Sequence, residues 1–104
     1  MGFKSDKEKI LADLLNQNYD HQARTAEKNH LAAGFISVEQ ASEIIKATPG
    51  RKHRNAQHDQ SRSLQLWIME PEIEGVRWYI KGYFAEEQTW FISFHPAKSQ
   101  SEDA

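Results

Sequence analysis

The sequence predicts an α+β domain, with two to three N-terminal helices packed on one face of a three-stranded or slightly larger antiparallel sheet. Three observations carry that expectation. Apolar residues recur at helical spacing in the first half, at Ile10, Leu11, Leu14 and Leu15 and again at Val38, Ala41, Ile44 and Ile45. The second half switches to period two, most clearly over residues 76–84. There Val76, Trp78, Ile80 and Phe84 share one strand face, and Arg77, Tyr79, Lys81 and Tyr83 share the other. Helices first and antiparallel strands second is the order of segregated layers.

The first helix is expected over residues 6–17, opened by Ser5-Asp6-Lys7-Glu8 as a capping box. A second is expected from Asp20 as cap to Ala33, closed by Gly34 in a left-handed conformation. Ser37-Val38-Glu39-Gln40 is another capping box, and it opens a third helix that Thr48-Pro49-Gly50 ends. Residues 50–62 hold no large apolar side chain and read as a long polar loop. Strands follow at 64–69, 76–84 and 89–95, the last two joined by a short hairpin loop at Ala85-Glu86-Glu87-Gln88.

Alternation then places Leu64, Leu66, Ile68, Val76, Trp78, Ile80, Phe84, Trp90, Ile92 and Phe94 under the helices. The opposite face would carry Gln65, Trp67, Arg77, Tyr79, Lys81, Tyr83, Phe91, Ser93 and His95. Each large side chain buried contributes roughly 1.5–3 kcal/mol, so the register should be strongly specified.

At 104 residues the chain forms one domain, expected over residues 1–98, with 99–104 as a flexible polar tail. The mean hydropathy of -0.78 and the absence of any long apolar run argue against a membrane span. The first residues, Met1 to Asp6, lack the apolar centre of a signal peptide, so a cytoplasmic protein is expected. With no cysteine, thiolate chemistry, disulfides and cysteine-based metal sites are excluded.

A formal charge of -2 argues against nonspecific duplex-DNA binding, which needs a large basic excess. The charge is nevertheless segregated. Lys46, Arg51, Lys52, Arg54 and Arg62 lie in a stretch whose only acid is Asp59, while Glu70, Glu72, Glu74, Glu86 and Glu87 come later. Such separation can build a local anion site.

Three chemistries compete for these residues. One is RNA cleavage without metal or cofactor, which needs an acid–base group and positive charge for the developing phosphorane. His95 suits the first role, Arg51, Arg54, Arg77 and Lys81 the second, and Tyr79, Tyr83, Trp67 and Phe91 can stack splayed bases. A metal site from His53, His58 and Asp59 is the second, but these residues sit in the polar stretch with nothing to converge them, and chance histidines account for them better. The third is a non-catalytic protein-binding module, such as a phage or mobile-element regulator acting on a host protein, because Tyr, Trp and Arg are also the residues of interaction hot spots.

At Trp78-Tyr79-Ile80-Lys81 and Phe91-Ile92-Ser93-Phe94-His95 the chain resembles the RelE-like bacterial toxins, most closely the MqsR branch. That resemblance implies helices on a small antiparallel sheet, metal-free mRNA cleavage, and a cognate antitoxin as partner. It implies a functional role for Tyr79, places His95 where the family strand ends in lysine, and aligns Gln65 with a glutamine of the preceding strand. The segment from His21 and Arg24 through Gly34-Phe35-Ile36-Ser37 is similar to small RNase toxin domains of the same group, which makes His21 and Arg24 secondary catalytic candidates. No counterpart of the family's Phe-Tyr-Lys-Ser motif is present, and the chain is mildly acidic where these toxins are basic.

Overall fold

The computed structural model describes residues 2–58 and 61–97. The expected tail at 99–104 and Asp59 lie outside the described residues. Helix α1 spans Phe3–Leu15, α2 His30–Ala33 and α3 Val38–Lys46, followed by a 3-10 turn at Gly50–Lys52. The strands are β1 Tyr19–His21, β2 His53–His58, β3 Ser61–Met69, β4 Glu72–Ile73, β5 Val76–Ala85 and β6 Gln88–Pro96. The fold is α+β with N-terminal helices, as expected, but the sheet has six strands and is mixed. Its order is β1-β6-β5-β3-β2, with β4 paired to the start of β5.

Helix α3 forms where its signals place it. Ser37 Oγ accepts from the Gln40 amide at 3.1 Å while Gln40 Oε1 accepts from the Ser37 amide at 2.8 Å, closing the capping box. Helix α1 starts earlier than expected. Gly2 is its cap, and Ser5 sits one turn inside, where its hydroxyl accepts from the Gly2 amide at 3.3 Å.

The helix expected from Asp20 to Ala33 is replaced by a short strand and a single helical turn. The apolar stripe of that segment, Ala23, Ala26, Leu31 and Ala33, is mostly alanine, too little to hold a helix on the sheet. The chain instead lays Tyr19–His21 parallel to β6, and Asn29 caps α2 by accepting from the Ala32 amide at 3.0 Å. Gly34 ends α2 with φ +85°, as the sequence indicates.

The expected loop at 50–62 is largely strand. Residues His53–His58 pair antiparallel with β3 at the sheet edge, where a polar sequence suits a strand with one row of backbone groups facing outward.

The core gathers Ile10 and Leu14 of α1, Leu31 of α2, and Ala41, Ile44 and Ile45 of α3 against Trp67, Met69, Ile80, Phe91 and Phe94. All the helices therefore cover one face. The facing of β5 is as expected, but that of β3 is reversed: Trp67 and Met69 point to the helices, and Leu66 and Ile68 to the other side. Both parities of β3 are apolar, so alternation does not decide its facing; the larger indole takes the helix side. In β6 the register shifts between Lys81 and Gly82 of β5, so that Ser93 opposes Lys81 but Phe91 opposes Gly82. Ile92 is the extra residue of this bulge. Beyond it Phe91 and Thr89 turn inward and Trp90 outward, reversing the expected facing of Phe91 and Trp90 while Ser93 and His95 keep theirs.

Candidate nucleic-acid interface

The helix-free face of the sheet brings the three principal candidates together. Tyr79 and His95 are direct cross-strand partners of β5 and β6, with ring centroids 5.7 Å apart. Lys81, two residues along β5, holds its Nζ 5.9 Å from the Tyr79 ring centroid. Tyr79 thus stands between an imidazole and an ammonium group. His95 Nδ1 lies 2.9 Å from the Pro96 carbonyl oxygen. A carbonyl only accepts, so Nδ1 carries the hydrogen and the lone pair of the neutral ring is on Nε2.

At one end of the same face lies a cleft of about 370 Å³ lined by Arg51, Lys52, His53, Arg54, Glu70 and Arg77. It unites the three expected phosphate contacts, bringing Arg51 and Arg54 together with Arg77, which lies more than twenty positions further along the sequence. The 3-10 turn supplies Arg51, the start of β2 supplies Arg54, and the start of β5 supplies Arg77. Arg54 opposes Ile68, which opposes Lys81, so the cleft and the Tyr79–Lys81–His95 group share one face. Four cations face a single carboxylate, Glu70, and that carboxylate is ion-paired with Arg54. Lys52 and Glu70 could not be read from spacing, because their place in the cleft depends on the β2–β3 register.

Other candidates lie elsewhere. Gln65 pairs with Gln57 on the parity of Trp67, so it occupies the opposite face from Lys81, a correction that follows from the reversed facing of β3. Tyr83 keeps the expected face but is only 9% exposed, and its ring stacks on Trp90 at 6.0 Å and 2°. Burial, with Glu86 and Asp20 nearby, raises its phenol above the ordinary value. Tyr83 is therefore a wall of the face rather than an open contact.

His21 and Arg24 do not join the group. His21 pairs with Phe91, with ring centroids 5.8 Å apart, on the helix side of the sheet. Its Nδ1 accepts from Asn29 Nδ2 at 3.0 Å, and burial together with Arg24 holds its pKa below the ordinary value against the pull of Asp20. Arg24 pairs with Asp20. His53 lines the cleft, but its side chain is buried, with Nε2 3.0 Å from Asp6 Oδ2, stitching β2 to α1. Among the described residues no three His, Asp or Glu side chains gather as a metal site requires, and no helix is long and apolar enough to cross a membrane. No protein-family model, curated protein or solved structure matches this chain.

Proposed function

We propose that this protein is a toxin-like endoribonuclease that binds single-stranded RNA across its helix-free face. The observation that supports this reading is the convergence of Tyr79, Lys81 and His95 beside a cleft holding Arg51, Lys52, Arg54 and Arg77. An imidazole with a free Nε2, a neighbouring ammonium group and a cationic cleft are what cleavage through the ribose 2′-hydroxyl requires.

In the proposed reaction His95 Nε2 takes the proton of the 2′-hydroxyl, whose oxygen attacks the adjacent phosphorus. Lys81 and the cleft arginines stabilise the charge on the phosphorane oxygens. The phosphorus–5′-oxygen bond breaks, the Tyr79 hydroxyl protonates the departing oxygen, and a 2′,3′-cyclic phosphate remains. Proton exchange with water returns His95 and Tyr79 to their starting states. The Tyr79 ring also offers a stacking face for a splayed base.

The test is incubation of the purified protein with end-labelled single-stranded RNA, in which fragments ending in cyclic phosphate are expected. His95→Ala should slow cleavage by about 100-fold or more while RNA still binds. RNA neither bound nor cleaved by the unsubstituted protein would overturn the reading and leave this face as a protein-binding surface.

A further inference from the structure

On the other side of β5, helix α3 and the β4–β5 hairpin leave a groove of about 500 Å³. Its apolar wall includes Ile73, Val76 and Trp78, and Glu39, Glu43 and Glu74 rim it. Among the described residues the large hydrophobics left exposed are Leu15, Phe35 and Val76, and Val76, at 41% exposed, lines this groove. Phe35, at 63% exposed, directly precedes the lining residue Ile36, and its ring lies 5.0 Å from that of His30, which in turn lies 6.2 Å from the lining residue Trp78. Contiguous exposed apolar surface with a polar rim marks interaction sites.

The rim decides the partner. Glu39 and Glu74 have no ion pair among the described residues, and Glu43 has only Lys46 at 3.8 Å on an exposed pair. A second copy docking face to face would bring a second set of glutamates against the first. A membrane surface, being anionic, would be repelled in the same way. We propose that the groove docks a cationic amphipathic segment of a partner protein, in which Leu, Ile or aromatic anchors alternate with Lys or Arg. The anchors fill the wall at Ile73, Val76 and Trp78, and the cations meet Glu39 and Glu74. Arg77 and Tyr79 face the opposite side of β5, so this site is separate from the proposed RNA face.

The experiment is selection of short random peptides displayed on phage against the full chain, with depletion on the Val76→Lys variant. Enriched peptides should interleave Lys or Arg with large apolar residues. A synthetic copy should bind at one-to-one stoichiometry and lose at least about tenfold in affinity on Val76→Lys or on combined Glu39→Lys and Glu74→Lys, with Arg77→Ala neutral. Ile73→Glu serves in place of Val76→Lys if circular dichroism finds the latter unfolded. Enrichment of acidic or uncharged peptides, no enrichment, or indifference to the glutamate reversals would overturn the proposal. So would sedimentation showing a dimer that Val76→Lys dissociates, which would assign the groove to a second copy.

Discussion

A Cβ on Gly82 and the indole of Trp67 would compete for one space: it would lie 2.6 Å from Trp67 Cζ2 and 2.9 Å from Cη2. It would also stand 2.1 Å from the Trp90 carbonyl oxygen across the bulge, a backbone atom that has no freedom to withdraw. Gly82→Ala should therefore destabilise the fold by about 3 kcal/mol or more, read as a fall in the urea midpoint. Trp67→Phe should fail to rescue it, because the clash with the Trp90 oxygen remains.

Glu86 and Glu87 turn the β5–β6 hairpin with φ of 55° and 63°, a left-handed pair that glutamate tolerates poorly. Replacing them by the Asn-Gly pair such turns favour, as Glu86→Asn with Glu87→Gly, should stabilise the protein by about 1–2 kcal/mol. The Glu87 carbonyl still accepts from Asn18 Nδ2 at 2.8 Å, since that contact is to backbone. An unchanged or lower thermal midpoint would refute this.

Asp13 is buried between α1 and β6. Burial opposes its charge, but hydrogen bonds from Thr89, Lys9 and Asn18 outweigh that and hold its carboxyl below the ordinary value. A depressed carboxyl pKa contributes stability that is complete above the unfolded value and disappears as pH falls through the folded one. Asp13→Asn should cost about 1–3 kcal/mol at neutral pH. The gap between the two proteins should narrow in strong acid, as denaturation curves at a series of pH values would reveal.

Glu70 restrains the proposed RNA face by pairing with Arg54. Glu70→Gln should release that guanidinium, tighten RNA binding and steepen its salt dependence. Arg77→Ala should do the reverse, lowering the slope of log affinity against log salt by about 0.7 for one lost single-strand phosphate contact. Titrations at several salt concentrations check both. Parallel slopes in all three proteins would remove the cleft from the interface.

What the sequence revealed depended on how local each determinant was. The capping box of Ser37 and Gln40 and the alternation at Trp78, Tyr79, Ile80 and Lys81 are local, and both appear where they were expected. β1 was hidden because three residues carry no periodicity and are held by partners in the last strand. β2 was hidden because His53–His58 has the polarity of a loop, and only its partner β3 makes it a strand. The bulge at Ile92 exchanged the expected faces of Phe91 and Trp90, and its one mark in the sequence, Gly82, lies on the partner strand rather than beside it. The Tyr79–His95 pair was legible because both residues lie on the unbulged side. The cleft was half legible: its arginines were visible as a cluster, but the site itself required the sheet end that gathers them with Glu70.

The parallel pairing of β1 with β6 also fixes when this protein can become a protein. Asp13 and Thr89, tied by a 2.6 Å hydrogen bond, are 76 residues apart, and the first strand completes only against the last. Such distant closures raise contact order and slow folding. Synthesis proceeds from the N-terminus, so helices α1 and α3 must wait with their apolar stripes uncovered until the C-terminal strands arrive. The molecule is therefore assembled late and as a whole, and truncation within β6 should abolish the fold rather than trim it.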